Sequence, residues 1–259
     1  MIDRIKEAFE NGKAFIPFIT SGDPSLETTE QLVYAMDDAG ADIIELGVPF
    51  SDPTAEGPVI QAANLRALSA GTTTDKIFSM IAKIRQKTQI PLILMTYANV
   101  VYSYDTELFL QKAASVGVDG LILADVPYEE KEEFSDVCDE YGLCLISMVA
   151  PTSKERIKMI AKDAKGFVYC VSSLGVTGTR KEIKTDVSSM VKLVKEANDI
   201  PCAIGFGISM PETAREMALQ SDGAIVGSAI VKICEKYGAE SVPYVSEYVK
   251  QMKEAVSKL

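Results

Sequence analysis

The chain has 259 residues, of which 47% are hydrophobic and 24% charged, and its formal net charge is −11. These proportions predict a globular protein with a large core, and the negative charge argues against nucleic acid as a partner because a phosphate backbone would be repelled. The chain contains no histidine. Proton transfer near neutral pH must therefore use carboxylates, Tyr, Lys, Cys or water.

The amino terminus and the cysteines indicate a cytoplasmic protein without a metal centre. Residues 1–15 read as a short amphipathic helix without the apolar centre of a signal peptide. No segment approaches the ~20 apolar residues of a membrane span. The five cysteines form no CxxC pair, and without histidine a zinc site of the usual kind is not expected. Cys170 and Cys202 fall inside apolar strand candidates, where we expect buried thiols.

Short apolar runs alternate along the chain with longer segments of helical period. The apolar runs predict eight strands, at residues 15–20, 42–48, 91–97, 120–126, 143–149, 167–173, 201–208 and 223–231. Segments between them, such as 25–40, 106–117, 154–164 and 212–220, carry apolar residues at i, i+3 and i+4 and predict helices. Continuously apolar strands alternating with helices are typical of a parallel sheet covered by helices.

Eight such units favour a closed (β/α)₈ TIM barrel, and we expect residues 1–259 to form a single barrel domain. An open doubly wound sheet would need a GxGxxG fingerprint after its first strand, and residues 19–25 offer none. The extra helix before the first strand should close the barrel bottom. Residues 241–259 should form the last outer helix.

Residues 43–61, IIELGVPFSDPTAEGPVIQ, place one acid inside a strand and a second in the loop that follows. Strand alternation turns Ile44 and Leu46 toward the covering helices and Glu45 the other way. A carboxylate there is unfavourable unless it has a partner or a function. The Gly- and Pro-rich loop then brings Glu56 to the same strand end. The structural alternative is that Glu45 is half solvated and Glu56 is an ordinary surface acid.

Glycine collects at the carboxyl ends of the last three strands, where the active sites of TIM barrels lie. It occurs in SLGVTGTR (173–180), GFGIS (205–209) and GSAIVKI (227–233). Glycine lets backbone N–H groups approach a ligand, and the start of a helix at Ser228 can hold an anion, so these turns predict a phosphate site. Each turn taken alone is explained equally well by turn chemistry. Arg180 and Lys181 flank the loop after the sixth predicted strand, where they are either solvated or close over a ligand.

Aromatic and apolar residues near the strand ends are candidates for the walls of a substrate pocket. Tyr169 has the strand parity to direct its hydroxyl toward the barrel mouth, or it is a buried tyrosine with a core partner. Phe18, Ile122, Ala124 and Phe206 stand near the ends of their strands. They line an apolar pocket or belong to the barrel core.

Several of these segments together resemble a known family. FIPFITSGDP, ELGVPFSDPTAEGPVIQ, LMTYANVVY, ADVPYEE, GFVYCVSSLGVTG, GFGIS and GSAIVKI, in this order, are similar to the α subunits of tryptophan synthase. The resemblance spans nearly the whole chain. It implies a lyase of tryptophan biosynthesis that cleaves indole-3-glycerol phosphate to indole and glyceraldehyde 3-phosphate.

The resemblance also implies roles for individual residues. Glu45 matches the general acid, Glu56 falls where the family has an aspartate that bonds the indole N–H, and Tyr169 matches a tyrosine near the reacting carbons. The substrate-binding positions implied are Phe18, Tyr97, Ile122, Ala124, Thr177, Gly178, Phe206, Gly207, Gly227 and Ser228. Of these, Gly178, Gly207, Gly227 and Ser228 match phosphate-binding positions, and Thr177 lies on a lid loop at about 174–185.

In the family, the α subunit binds no cofactor and joins a β subunit that uses pyridoxal phosphate, in an αββα heterotetramer. Asp52, Pro53 and Asn99 match positions on loops near that interface. A free-standing lyase that needs no β subunit is the alternative. An indole-glycerol-phosphate synthase would require a lysine near the reacting carbons, and no strand end carries one convincingly.

One departure from the family pattern affects the predicted site. The usual SDPLADGP is SDPTAEGP here, so Thr54 replaces leucine and Glu56 replaces aspartate. One extra methylene displaces a carboxylate by about 1 Å or more, which catalytic contacts tolerate poorly. Because the acid type is preserved, the sequence still predicts a catalytic α subunit, with a non-catalytic regulatory partner of the β subunit as the alternative.

Overall fold

The computed structural model describes residues 3–172, 187–205 and 207–257. Its strands are all parallel and form one sheet. They are β1 (Ala14–Thr20), β2 (Ile44–Gly47), β3 (Leu92–Thr96), β4 (Gly120–Leu123), β5 (Cys144–Leu145), β6 (Ser147–Val149), β7 (Val168–Val171), β8 (Cys202–Gly205) and β9 (Gly223–Val226). Each predicted strand position is occupied, and the fifth is divided into β5 and β6.

The divided fifth strand closes the sheet into a ring. The strand order is β5-β4-β3-β2-β1-β9-β8-β7-β6, so the two ends of the order are the two halves of one strand. Cys144 and Leu145 pair with β4, whereas Ser147 to Val149 pair with β7. Only Ile146 separates the halves. The predicted (β/α)₈ barrel is confirmed, with the chain changing partner within its fifth strand.

Except for the first, which precedes β1, the helices follow the strands in sequence and pack on the outer face of the ring. They are α1 (Arg4–Glu10), α2 (Leu26–Asp38), α3 (Pro58–Ser69), α4 (Thr74–Ile84), α5 (Ala98–Tyr104), α6 (Thr106–Ser115), α7 (Glu132–Tyr141), α8 (Lys154–Lys162), α9 (Val187–Ala197), α10 (Pro211–Leu219), α11 (Ser228–Tyr237) and α12 (Val242–Ser257). Ser25, Thr73 and Ser153 cap α2, α4 and α8 by accepting a backbone N–H of the first turn. Within the described ranges, no helix is long and apolar enough to cross a membrane.

The two faces of the strands build two separate apolar cores. Ile44 and Leu46 belong to the core between strands and outer helices, while Phe18, Ile43 and Ile93 belong to the core inside the barrel. This is the alternation expected of strands, whose successive side chains point to opposite faces. Residue 45 therefore lies on the inner face, as the sequence predicts, and pairs in register with Phe18 and Ile93.

The helix α1 closes the amino-terminal end of the barrel, as expected for an extra helix before β1. Ile5 is 1% exposed and belongs to the inner core. The Phe9 ring lies 5.6 Å from the ring of Phe167, which directly precedes β7. At the other end of the chain, α12 packs on α2 and α10 and buries Val245 and Val249, which confirms the predicted last outer helix.

Several strands end earlier than predicted. The segment 223–231 was expected to be one strand, but β9 ends at Val226 and α11 begins at Ser228. The apolar run continues there because Ile230 and Val231 are the buried face of a helix, which an apolar run alone does not distinguish from a strand. Likewise, Tyr97 and Ala124 follow β3 and β4, and Gly207 follows β8.

The contact of α1 with the inner core gives a test of its structural role. We expect Ile5→Ala to lower the free energy of unfolding by ~2–5 kcal/mol, because it removes a buried side chain and leaves a cavity. The matched control Lys6→Ala changes an exposed residue of the same helix, and we expect it to stay within ~0.5 kcal/mol of wild type. Urea unfolding measures both. Equal values for the two variants would contradict a closing role for α1.

Candidate active site at the carboxyl ends of the strands

A cavity opens at the carboxyl-terminal ends of the strands. It is lined by Phe18, Glu45, Glu56, Ile60, Met95, Tyr169, Gly207, Ile208, Ile225, Gly227 and Ser228. These residues come from β1, β2, β3, β7 and β9, from α3 and α11, and from the segments that follow β2, β8 and β9. The cavity thus brings together two acids, a tyrosine and the glycines near the start of α11, all singled out in the sequence. Its walls are otherwise mainly apolar.

Glu45 lies on the inner face of β2, at the floor of this cavity. Its side chain is almost completely buried, with 1% of the residue exposed. Its Oε1 atom has no hydrogen-bond partner among the described residues. Burial disfavours the charged form and raises the pKa of Glu45 to about 8. At neutral pH, residue 45 is therefore mostly a protonated carboxylic acid facing the cavity.

Glu56 has a different environment although it lines the same cavity. Its carboxylate accepts a hydrogen bond of 2.6 Å from Asn64 Nδ2 and is also bonded by the Tyr97 hydroxyl. Burial raises the pKa of Glu56, to about 6, while the bonds from Asn64 and Tyr97 oppose the rise. Glu56 is therefore mostly ionised near pH 7. Two carboxyl groups whose environments separate their pKa values are suited to different roles in acid–base chemistry.

The loop that carries Glu56 is fixed by contacts with its neighbours. The Ala55 N–H donates to the Tyr97 hydroxyl oxygen over 3.2 Å. Gln61 Nε2 donates to the Glu56 backbone carbonyl over 2.7 Å. The Phe50 and Tyr97 rings pack with centroids 5.3 Å apart. The Gly- and Pro-rich loop is thus held from both α3 and the end of β3, which fixes the position of the carboxylate.

Two aromatic side chains reach the cavity because glycines stand beside them. Tyr169 on β7 lies across Gly205 on β8, where an added Cβ would come within 2.3 Å of the tyrosine oxygen. Phe18 lies across Gly47 in the same way, with 2.7 Å from an added Cβ to the ring. Burial and the charge of Glu45 both raise the pKa of Tyr169, which keeps its hydroxyl protonated.

The part of the cavity lined by Gly207, Gly227 and Ser228 is suited to an anion. Gly207 has φ +80°, a backbone conformation that glycine adopts readily. Gly227 is the N-cap of α11, and Ser228 is the buried first residue of this ten-residue helix. Backbone N–H groups of a first helical turn have no intrahelical acceptors and face incoming negative charge. The helix start and the Ser228 hydroxyl can thus hold a phosphate without a nearby cation.

The remaining predicted site residues are placed as follows. Tyr97 is buried behind the cavity, where its hydroxyl bonds Glu56 rather than lining the wall. Ile122 is buried in the inner core, and Ala124 lines a different cavity next to Tyr128 and Ser147. The residues predicted at 173–186 and at position 206 lie outside the described residues; they include Thr177, Gly178, Arg180, Lys181 and Phe206.

The structure adds residues that the sequence does not single out. Ile60 and Met95 line the cavity, and Asn64 bonds Glu56. Asn64 carries a signal in retrospect, because α3 buries it on the same face as Ile60 and Ala67. A polar residue at a buried position of a helical period needs a partner. The described part of the chain contains no group of acids and cysteines that could hold a metal ion.

The barrel and its cavity define a class of protein: TIM-barrel enzymes that place paired carboxyl groups and an anion site at the carboxyl ends of the strands. Comparisons with known proteins narrow this class. The family model for the tryptophan synthase alpha chain matches residues 5–257. The chain belongs to the tryptophan synthase α chain family, which confirms the resemblance seen in the sequence.

Individual relatives agree with this assignment. The chain is 47% identical to the tryptophan synthase alpha chain of Thermoanaerobacter sp. strain X514, over 98% of this chain and 100% of that protein. It superposes on the α subunit from Legionella pneumophila strain Paris with a TM-score of 0.91 and 36% identity, covering 100% of both chains. A chain of the tryptophan synthase α₂β₂ complex from Pyrococcus furiosus gives a TM-score of 0.86 and 33% identity, over 94% of this chain and 99% of that chain.

The raised pKa of Glu45 predicts a pH-dependent effect on stability. In the unfolded chain the carboxyl loses its proton near 4.5, whereas in the barrel it keeps the proton until about 8. Between these values the folded state binds more protons, so this residue's contribution to stability falls as pH rises. We therefore expect Glu45→Gln to become more stable than wild type as pH rises from about 5 to about 8, by a few kcal/mol.

Glu56→Gln is the matched control for this titration. The pKa of Glu56 is raised only to about 6. The pH-dependent part of the difference in unfolding free energy between Glu56→Gln and wild type should therefore stop growing near that pH. Urea unfolding of the three proteins at successive pH values measures both differences. A constant difference between Glu45→Gln and wild type over this range would show that Glu45 is not buried as a neutral acid.

Proposed function

We propose that the chain cleaves indole-3-glycerol phosphate by a retro-aldol reaction, releasing indole and glyceraldehyde 3-phosphate. The observation that carries the proposal is the Glu45 carboxyl, which is buried, lacks a partner at Oε1 within the described residues and faces the cavity with a pKa of about 8. Membership of the tryptophan synthase α chain family supports the same reaction.

Glu45 serves as the general acid and then as the base. Indole is a poor leaving group until its ring carbon 3 is protonated, so the protonated Glu45 first gives its proton to that carbon. The resulting carboxylate takes the proton of the glyceryl hydroxyl adjacent to the scissile bond. The oxygen's electron pair forms the aldehyde, the C–C bond breaks, and its electrons return to the ring. Glu45 ends the cycle protonated, as it began.

Glu56 and Tyr169 act on the substrate around this proton transfer. The ionised Glu56 accepts a hydrogen bond from the indole N–H and stabilises the positive charge that the ring carries after protonation. Tyr169 lies beside Glu45, since the charge of Glu45 contributes to its raised pKa, and it contacts the reacting carbons. Phe18, Ile60 and Met95 supply apolar walls for the flat ring.

The phosphate of the substrate binds at the start of α11. Gly207, Gly227 and Ser228 line that part of the cavity, where α11 begins. Such a site is short-ranged, which suits a chain whose net charge of −11 repels anions at a distance. The phosphate therefore orients the substrate with its ring toward Glu45 and Glu56.

We also infer that the chain is cytoplasmic and forms a single domain over residues 1–259. We further infer that it works with a β subunit. Mutual activation is described for the Pyrococcus furiosus α₂β₂ complex. Asp52 and Asn99 are exposed and Pro53 is half-buried, and they lie in the segments that follow β2 and β3. A β subunit docked there would receive indole directly and would carry the pyridoxal phosphate, so the α chain itself needs no cofactor.

The first test of this function is removal of the proposed acid. We expect Glu45→Gln to reduce indole formation from indole-3-glycerol phosphate by at least ~10²-fold, because it removes proton transfer. Affinity for glycerol 3-phosphate, measured by calorimetry, should stay within ~10-fold, because the anion site is unchanged. The control Glu216→Gln removes an exposed acid on α10. It should match wild type in both measurements.

Two results would contradict the proposal. Comparable losses of indole formation and of glycerol 3-phosphate binding in Glu45→Gln would show a general distortion of the cavity. If the wild-type chain forms no indole with or without a β subunit, it is instead a regulatory partner. The replacement of aspartate by Glu56 would then explain the lost activity.

The second test concerns the β subunit. We expect indole formation to rise and saturate as a β subunit is titrated in. Asn99→Arg should raise the half-maximal β concentration ~10-fold, equivalent to ~1.4 kcal/mol, because it puts a charge into the contact. Gln111→Arg, an exposed residue of α6, is the control. Full activity that no concentration of β subunit changes would identify a free-standing lyase.

A further inference from the structure

Helix α3 binds Glu56 through two amide side chains that differ in the atom they bond and in their exposure. Gln61 Nε2 donates to the backbone carbonyl of Glu56 over 2.7 Å, and Asn64 Nδ2 donates to the side-chain Oε2 over 2.6 Å. Gln61 is exposed, whereas Asn64 is 3% exposed and Glu56 is 8% exposed. A hydrogen bond to a buried carboxylate is stronger than an exposed neutral one. Of the two amides, Asn64 is the one that acts on the carboxylate itself.

The Asn64 donor is held in a fixed position. Ile60 and Ala67 are buried on the same face of α3 as Asn64, which packs this face against the barrel. Two residues further along α3, Arg66 donates from Nε and Nη2 to both carboxylate oxygens of Asp23, each over 2.8 Å. This paired bond ties α3 to the segment after β1, since Asp23 is itself buried. The helix therefore presents Asn64 from a rigid support.

We propose that Asn64 is a positioning residue, whose amide holds the Glu56 carboxylate against α3 and thereby lets a glutamate serve where the family pattern has an aspartate. The inference rests on the proposed function, in which Glu56 accepts the indole N–H. An unrestrained glutamate has one more rotatable bond than aspartate and can place its carboxylate at many points. The bond from Asn64 to Oε2 selects one of them.

The same bond also sets the charge of Glu56. The groups that face Glu56 are the Tyr97 hydroxyl, which bonds it, and Glu45 and Tyr169, which line the same cavity; Asp125 lies beyond Tyr97. Of these, only Tyr97 donates to the carboxylate, as Asn64 does. Loss of Asn64 would therefore raise the pKa of Glu56 above its value of about 6. The ionised form would be lost at a higher pH.

The experiment is the pH profile of indole formation for wild type, Asn64→Leu, Asn64→Asp and Gln61→Leu. Leucine and aspartate both match asparagine in size, so two independent variants remove the donor. We expect kcat to fall by ~10- to 100-fold with KM within ~3-fold, because the phosphate still binds at the far end. The acidic limb should move to higher pH by about one unit, and further for Asn64→Asp, which adds a second carboxyl.

Gln61→Leu is the matched control, because it removes the other amide bond from α3 to the same residue. Its acidic limb should stay with that of wild type. In a Glu56→Gln background, Asn64→Leu should change kcat by less than ~2-fold, since Asn64 acts through Glu56. An acidic limb that does not move in either Asn64 variant, or that moves equally in Gln61→Leu, would overturn the proposal.

A second measurement separates this inference from the proposed function. Nuclear magnetic resonance of ¹³C-labelled glutamate carboxyls, with Glu56 assigned from Glu56→Gln, reports its titration without any substrate. A higher pKa of Glu56 in both Asn64 variants supports the positioning role even if wild type forms no indole, a result that would reject only the proposed function. An unchanged titration together with active wild type would reject only the role of Asn64.

Discussion

The site depends on one constraint: a carboxyl group is buried among apolar neighbours inside a parallel barrel. Glu45 is flanked in register by Phe18 and Ile93, and its pKa is raised to about 8 by burial alone. An ionised carboxylate in such surroundings is strongly disfavoured, so the group holds a proton at neutral pH. A chain without histidine thereby obtains an acid that can also release its proton near neutral pH. Strand parity, rather than any local motif, produces this acid.

The second acid shows how the same cavity supports the opposite charge state. Glu56 is also buried, but Asn64 and Tyr97 donate hydrogen bonds to it, and its pKa is raised only to about 6. The two acids therefore differ in both respects: Glu56 has donors, and it is less completely buried than Glu45. Because the donors come from α3 and from the residue after β3, the division between acid and acceptor depends on the packing of the loop between β2 and α3.

The sequence predicts the elements more completely than the contacts between them. The alternation of Ile44, Glu45 and Leu46 correctly placed residue 45 on the inner face, and the repeat of apolar runs predicted the ring. The break at Ile146 could not be predicted, because 143–149 reads as one mainly apolar run and the break arises when pairing passes from β4 to β7. The bond from Asn64 to Glu56 was missed for a similar reason. Asn64 lies on α3 and Glu56 on the loop before it, so the distance between them depends on the path of the loop and not on a helical or strand period.

The charge of the cavity links the acid to the anion site. Under the proposed function, a phosphate must enter a cavity that contains two carboxyl groups, in a chain whose net charge is −11. Burial of Glu45 removes one of these charges at neutral pH, and the donors on Glu56 delocalise part of the other. The first turn of α11 then needs to offset little more than the phosphate itself. A bound phosphate in turn raises the pKa of Glu45 further, because it disfavours a second negative charge in the same cavity. Under the proposed function, substrate binding therefore keeps Glu45 protonated up to a higher pH and so retains the proton that the reaction uses.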